Sequence, residues 1–261
     1  MKIDFFKYQG AGNDFVIIDN RKDFFPKDNY KLIQKYCDRK FGIGADGLML
    51  LENDTQADFK MEYYNADGRP GSMCGNGGRC IVAFAKSLDI FDKKTHFMAL
   101  GESYTATMEG DEVSLKMIDV DTIDVFESHV FLDTGSPHHV TFIENLSDYN
   151  VVEHGRQIRY GAPYHETGTN VNFVEKLNDN TFGVRTYERG VENETLSCGT
   201  GVTAVALASF HLNRTTEKKV YIETPGGKLK IEFEKDGTIY KHIILTGPAT
   251  FVFRGTIDLK S

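Results

Sequence analysis

The chain repeats itself. "SMCGNGGRC" (72–80) and "LSCGTGVTA" (196–204) each set a cysteine before Gly-x-Gly and then run on into small, apolar residues. The two cysteines, Cys74 and Cys198, are 124 positions apart, close to half of the 261 residues. Other landmarks follow in the same order. Gly44 and Asp46 of "GIGADG" match Gly168 and Asn170 of "TGTNVN", and Tyr64-Asn65 matches Tyr187-Glu188. Gly12-Asn13 matches Gly135-Ser136, and Gly101 matches Gly226. Offsets of 123 to 125 throughout mark a duplicated unit. Such a chain is expected to form two homologous lobes that face each other across a pseudo-two-fold axis.

Hydrophobic patterning points to the content of each lobe. "KLKIEFE" (228–234) alternates polar and apolar residues, as a half-buried strand does. With "KVYIE" (219–223) across the turn "TPGG" it predicts a hairpin. "FKMEYY" and "GVRTYE" are strand-like, and each leads to a glycine-containing loop before its cysteine. "VTAVALASFHL" is apolar nearly all round, which suits a helix buried inside a sheet rather than one lying on it. The expected fold is α+β, each lobe a curved, mainly antiparallel sheet or barrel around a central helix. Residues 1–118 plus 252–261 would make the N-terminal lobe and 119–251 the C-terminal lobe, with "TFVFRGTIDL" crossing back to the first.

Composition narrows the function. With 40% hydrophobic and 26% charged residues the chain is of the globular class. A net charge of −8 disfavours nucleic acid or an anionic membrane surface as partner. No run of apolar residues reaches the length of a membrane span, and "MKIDFFKYQG" has no signal-peptide pattern. The four cysteines, Cys37, Cys74, Cys80 and Cys198, are therefore read as reduced cytoplasmic thiols. Cys37 and Cys80 are expected in the core. Cys80 follows Cys74 by six residues, a turn of about 240° on a helix. The cysteine spacings suit no zinc site, so no metal is expected. "GAGNDF" and "GNGGRC" each lack the third glycine of a dinucleotide loop.

If a helix starts at each glycine run, Cys74 and Cys198 stand at helix N-termini. There the backbone N–H groups and the helix dipole favour negative charge on a thiol. The same N–H groups suit a carboxylate, and glycine lets it come close. Two such corners across one cleft would remove a proton from one face of a carbon and return one to the other face. That chemistry inverts a stereocentre beside a carboxylate, with one sulfur as thiolate and the other as thiol. A single well-placed acid or base supplies about 10²–10⁴ in rate. The remainder must come from N–H groups aimed at the developing enolate charge in a closed, water-poor site.

These residues resemble the diaminopimelate epimerases, over essentially the whole chain. The likeness rests on "GAGNDF" (10–15), "GIGADG" (42–47), "NADG" (65–68), "MCGNGGRC" (73–80), "GTNVNF" (168–173) and "ERG…ETLSCGTG" (188–201). It implies a cofactor-independent isomerase that interconverts LL- and meso-diaminopimelate for lysine biosynthesis, commonly as a homodimer. It makes Cys74 and Cys198 the acid/base pair, and Gly75-Asn76 and Gly199-Thr200 the backbone cradle of the reacting carboxylate. Asn13, Asn65, Asn170, Glu188 and Arg189 become substrate contacts, Arg189 as a clamp on the distal carboxylate. His138 and Glu188 become groups that set the thiols' protonation.

The match has departures. Some members carry glutamine where Gly47 stands and asparagine where Ser136 precedes Pro137-His138. Gly47 offers no side-chain contact, and Ser136 a shorter one. The segment "ERGVENETLSC" holds one residue more between "ERG" and "ET" than the pattern expects. Two alternatives stay open: a proline- or hydroxyproline-type racemase of the same architecture, and, in another class, a thiol redox or metal-binding protein.

Overall fold

The computed structural model describes residues 2–71 and 73–259. The chain divides into two compact units, Met1–Leu115 with Pro248–Ser261, and Lys116–Gly247. The first unit opens with β1 (Lys2–Gly10), β2 (Asn13–Asp19), α1 (Tyr30–Cys37), β3 (Gly47–Glu52) and β4 (Phe59–Asn65). It continues with α2 (Gly75–Ser87), β5 (Lys94–Ala99), β6 (Glu102–Glu109) and β7 (Glu112–Lys116). The second runs through β8 (Ile123–Val125), β9 (Val130–Asp133), β10 (Pro137–Phe142), α3 (Val151–Tyr160), β11 (Asn170–Lys176) and β12 (Thr181–Glu188). Then come β13 (Asn193–Thr195), α4 (Gly199–His211), β14 (Lys219–Thr224), β15 (Gly227–Asp236) and β16 (Ile239–Pro248).

The last strand, β17 (Thr250–Asp258), lies antiparallel to β1, from Lys2 opposite Asp258 to Gln9 opposite Thr250. The strand pairs along its whole length, within the return segment Pro248–Ser261 of the first unit. The forward segment of the first unit ends at Leu115.

Strand order is the same in the two units. In the first it is β17-β1-β2-β3-β4-β5-β6-β7, with only β2–β3 and β4–β5 parallel. In the second it is β8-β9-β10-β11-β12-β14-β15-β16, with β10–β11 and β12–β14 parallel. A parallel step needs a crossover, and each one here carries a helix: α1 and α2 in the first unit, α3 and α4 in the second. Register repeats as well, since Leu48 faces Tyr64 as Val171 faces Tyr187.

The two helices of each unit differ in what they bury. Val16, Ile18, Leu48 and Leu50 pack with Leu32, Ile33 and Tyr36 of α1. The alternate residues Phe15 and Met49 point the other way and approach Gly77 of α2. α2 is buried without break from Gly75 to Ala85 and touches β1, β2, β3, β6 and β17. α4 touches β9, β10, β11, β12, β14 and β15. A helix in contact with that many strands of one sheet must be wrapped by the sheet. Burial on all sides is why "VTAVALASF" needs no polar face: each enclosed aliphatic side chain contributes about 1.5–3 kcal/mol. Among the described residues, no helix is long and apolar enough to cross a membrane.

Candidate active site

Each unit builds one candidate cluster at the start of its enclosed helix. Cys74 is the N-cap residue of α2 and Cys198 that of α4, both with extended backbone (φ −114°, ψ 124° and φ −123°, ψ 113°). Each helix is 13 residues long. The first intrahelical bonds run from Gly78 N to Cys74 O (2.7 Å) and from Val202 N to Cys198 O (2.9 Å). The N–H groups ahead of them lie at the positive end of the helix. Neither cysteine side chain makes a capping hydrogen bond to its helix. By contrast, Asn29 and Asn150 cap α1 and α3 through their side chains.

In the first unit Asn13 stands at the start of β2. Its Nδ2 donates to Asp46 Oδ2 at 2.6 Å, which turns Oδ1 toward Cys74 Sγ, 3.5 Å away. Asn76 Nδ2 lies 3.5 Å from the same oxygen. Behind Asp46, Arg39 grips Asp14 with two nitrogens and Asp46 with one. Lys7 pairs with Asp14 at 2.7 Å and donates to Gly44 O. Burial alone would raise the Asp14 pKa, but the hydrogen bonds from Arg39 and Lys7 prevail and hold it at about 2. The loop that orients Asn13 is therefore tied by ionised groups.

Beneath the helix start lies Arg79, fully buried. It donates to Asn76 Oδ1 (2.9 Å), Gly75 O (3.2 Å) and Pro248 O (3.4 Å). Burial lowers its pKa, while the sulfurs of Cys80 and Cys74 act in the opposite direction. Asn65 ends β4 with an exposed side chain, its N–H bound to Arg69 O. Gly47 begins β3 and pairs with Asn65.

In the second unit a chain of side chains leads to the sulfur. Asn172 Nδ2 donates to His138 Nδ1 at 3.1 Å and to His139 O at 3.1 Å, and Asn172 Oδ1 accepts from Thr186 Oγ1 at 3.0 Å. With Nδ1 an acceptor, the proton of neutral His138 sits on Nε2. That nitrogen is 2.9 Å from Thr200 Oγ1, which is 3.4 Å from Cys198 Sγ. Burial first, and then the charge of Arg189, push the His138 pKa down to about 3, so the ring is neutral at physiological pH. Gly201 makes this packing possible: a Cβ there would meet Asn172 Oδ1 at 2.5 Å and His138 Cε1 at 3.3 Å. Thr134 Oγ1 donates to Thr200 O at 2.9 Å.

Asn170 and Arg189 form a second layer. Asn170 Oδ1 accepts from Arg189 N at 2.9 Å and its Nδ2 donates to Pro137 O at 3.2 Å, so both ends of the amide hold loops. Arg189 itself donates from a terminal nitrogen to Thr167 O at 3.0 Å. Glu188 accepts from Thr195 Oγ1 at 2.9 Å. Ser136 accepts Thr134 N–H through its carbonyl.

The structure thus gathers Cys74, Gly75, Asn76 and Asn13 at one helix start, and Cys198, Gly199, Thr200 and His138 at the other. Asn65, Glu188 and Arg189 lie at strand ends. Asn172 and Arg79 escaped the sequence reading, although both left a signal. Asn172 sits two residues after Asn170 on one strand, hence on the same face. Arg79 is a charge in a buried helix, one turn after Gly75. Cys37 and Cys80 are buried, and burial pushes both thiols up, Cys37 to about 12.

Comparison with known proteins gives a consistent set of matches. Residues 5–123 and 130–252 match the diaminopimelate epimerase family. The chain is 54% identical to the diaminopimelate epimerase of Flavobacterium psychrophilum, covering 97% of this chain and 99% of that one. It is 44% identical to that of Chlorobaculum tepidum, covering 96% and 99%. Among solved structures, a phenazine biosynthesis protein of the PhzF family from Bacillus anthracis superposes with a TM-score of 0.80 at 12% identity, covering 99% of this chain and all of the other. At that identity the likeness concerns the fold alone.

Proposed function

The chain belongs to the diaminopimelate epimerase family, and on that premise we propose that it interconverts LL- and meso-diaminopimelate by proton transfer between the substrate α-carbon and two cysteines. The observation that carries the reading is the matched pair of N-cap cysteines, Cys74 and Cys198, each at the N-terminus of an enclosed 13-residue helix.

In this mechanism the substrate α-carbon exchanges protons with both thiols. One sulfur takes the α-proton as thiolate and the other returns a proton to the opposite face, so the pair exchanges charge in every turnover. The sulfurs have different partners: Cys74 faces the Asn13 carbonyl oxygen, an acceptor for S–H, and Cys198 faces the Thr200 hydroxyl. Thr200, accepting the hydrogen bond of His138 Nε2–H, can turn its own hydrogen to the Cys198 sulfur and favour its thiolate form. The N–H groups of Gly75-Asn76 and Gly199-Thr200 hold the α-carboxylate and stabilise its enolate-like charge. Arg189 offers a planar fork to the distal carboxylate, and Asn65 and Glu188 bind the remaining polar groups.

No pyridoxal phosphate enters the mechanism. We propose a cytoplasmic homodimer, in which β17, exposing Phe251, Val252 and Phe253, supplies apolar area for the contact. Light scattering on the purified chain tests that assembly. The function is tested by following deuterium from D₂O into the α-position of LL-diaminopimelate and of proline, without added cofactor. Uptake into the former supports the assignment. Uptake into proline alone would replace it with a racemase.

A further inference from the structure

Gly47 and Gly71 both make room for one ring. A Cβ on Gly47 would lie 2.5 Å from Cε2 and 2.9 Å from the hydroxyl of Tyr63. One on Gly71 would lie 2.4 Å from Cε1 and 2.5 Å from Cδ1 of the same ring, and 2.9 Å from Asn65 Oδ1. The phenol is slotted between two glycines with its hydroxyl over Gly47.

The strand register places that hydroxyl. Met49 pairs with Tyr63 and Gly47 with Asn65, so Tyr63 and Asn65, two apart on β4, share one face. It is the inner face, because Tyr63 meets Phe15 edge-on at 6.0 Å and Phe15 lies against Gly77 in the first turns of α2. The ring therefore runs from the core below the Cys74 helix to the strand ends that carry Asn65 and Gly47. Asp46, which orients Asn13, immediately precedes that glycine. The Tyr63 oxygen lies in the volume that a side chain at residue 47 would take, at the start of the strand that pairs with Asn65.

We propose that Tyr63 is a substrate-contacting, specificity-determining residue, whose hydroxyl reaches through the space left by Gly47 to hydrogen-bond a charged ammonium or carboxylate group of the substrate. This rests on the reading of the chain as a diaminopimelate epimerase. A phenolic hydroxyl both donates and accepts, and a ring clasped by two glycines delivers it with little rotamer freedom to lose. A site with such a fixed partner rejects amino acids that lack the matching group.

Tyr63→Phe keeps the ring and removes the oxygen. The variant is expected to lose about tenfold or more in kcat/KM for LL-diaminopimelate, mainly through KM, with its thermal midpoint within about 1 °C of the parent. Values of KM and kcat within about twofold of the parent, or a loss that follows a lowered thermal midpoint, would return Tyr63 to the core. A parent protein that exchanges no α-proton would remove the functional reading and this proposal together. An active parent beside an unaffected Tyr63→Phe removes this proposal alone.

Discussion

The hydroxyl oxygen of Thr200 lies 3.4 Å from the sulfur of Cys198. It also lies 2.9 Å from Nε2 of His138, a ring held neutral by burial and turned by Asn172. The hydroxyl is thus the last link between a fixed imidazole N–H and the thiol. A hydrogen bond to a charged group contributes about 1.5–3 kcal/mol, so Thr200→Val is expected to lower kcat about 10- to 100-fold. Thr200→Ser should recover most of it. Steady-state kinetics on LL-diaminopimelate decide, and a valine variant at the parent rate would show that the bridge is idle.

Cys74→Ala and Cys198→Ala should each abolish epimerisation. Both positions precede their helix, and the backbone bonds from Gly78 and Val202 do not use the sulfur. Circular dichroism should therefore match the parent while α-proton exchange disappears. Substantial turnover in either variant would refute a two-thiol mechanism.

Stability should fall in mild acid through His138 and His139. Burial, with the charge of Arg189, holds His138 at about 3; burial, with His129, holds His139 at about 3. In the unfolded chain both take up a proton near pH 6.5. Between those values the unfolded state binds more protons, so stability is full above about pH 6.5 and is lost as pH falls toward 3. The slope is about 1.4 kcal/mol per pH unit for each ring. Urea midpoints at pH 7.5, 6 and 5 measure it, and a midpoint independent of pH over that range would contradict the burial argument.

Gly47→Ala should destabilise the first unit by about 1–3 kcal/mol, the usual cost of overpacking. The added Cβ meets the Tyr63 ring at 2.5 Å and Tyr64 O at 2.7 Å. Combining it with Tyr63→Leu should cost less than the sum of the single changes, because one of the two collisions is gone. Additive losses in urea unfolding would mean that ring and glycine are not in contact.

Much of this molecule is legible along the chain. The alternation in "KLKIEFE" becomes β15, and the hairpin with β14 closes at the glycines of "TPGG". The all-apolar "VTAVALASF" becomes the enclosed helix α4. Each of these is a local pattern, written in neighbours a few residues apart, while the duplicated landmarks, 123 to 125 positions apart, correspond to two units of identical strand order.

What tertiary structure alone decided is which distant side chains meet. Thr200 reaches His138 across 62 positions, and Asn13 reaches Cys74 across 61. Asn170 was legible as polar, but that its amide ties Arg189 to the Pro137 loop was not. Nor does "KMEYYN" reveal that Tyr63 fills the space over Gly47. Periodicity determines which face of a strand or helix a residue occupies. Strand register and close packing determine what stands opposite, and those depend on chain segments that share no local pattern with the residue they touch.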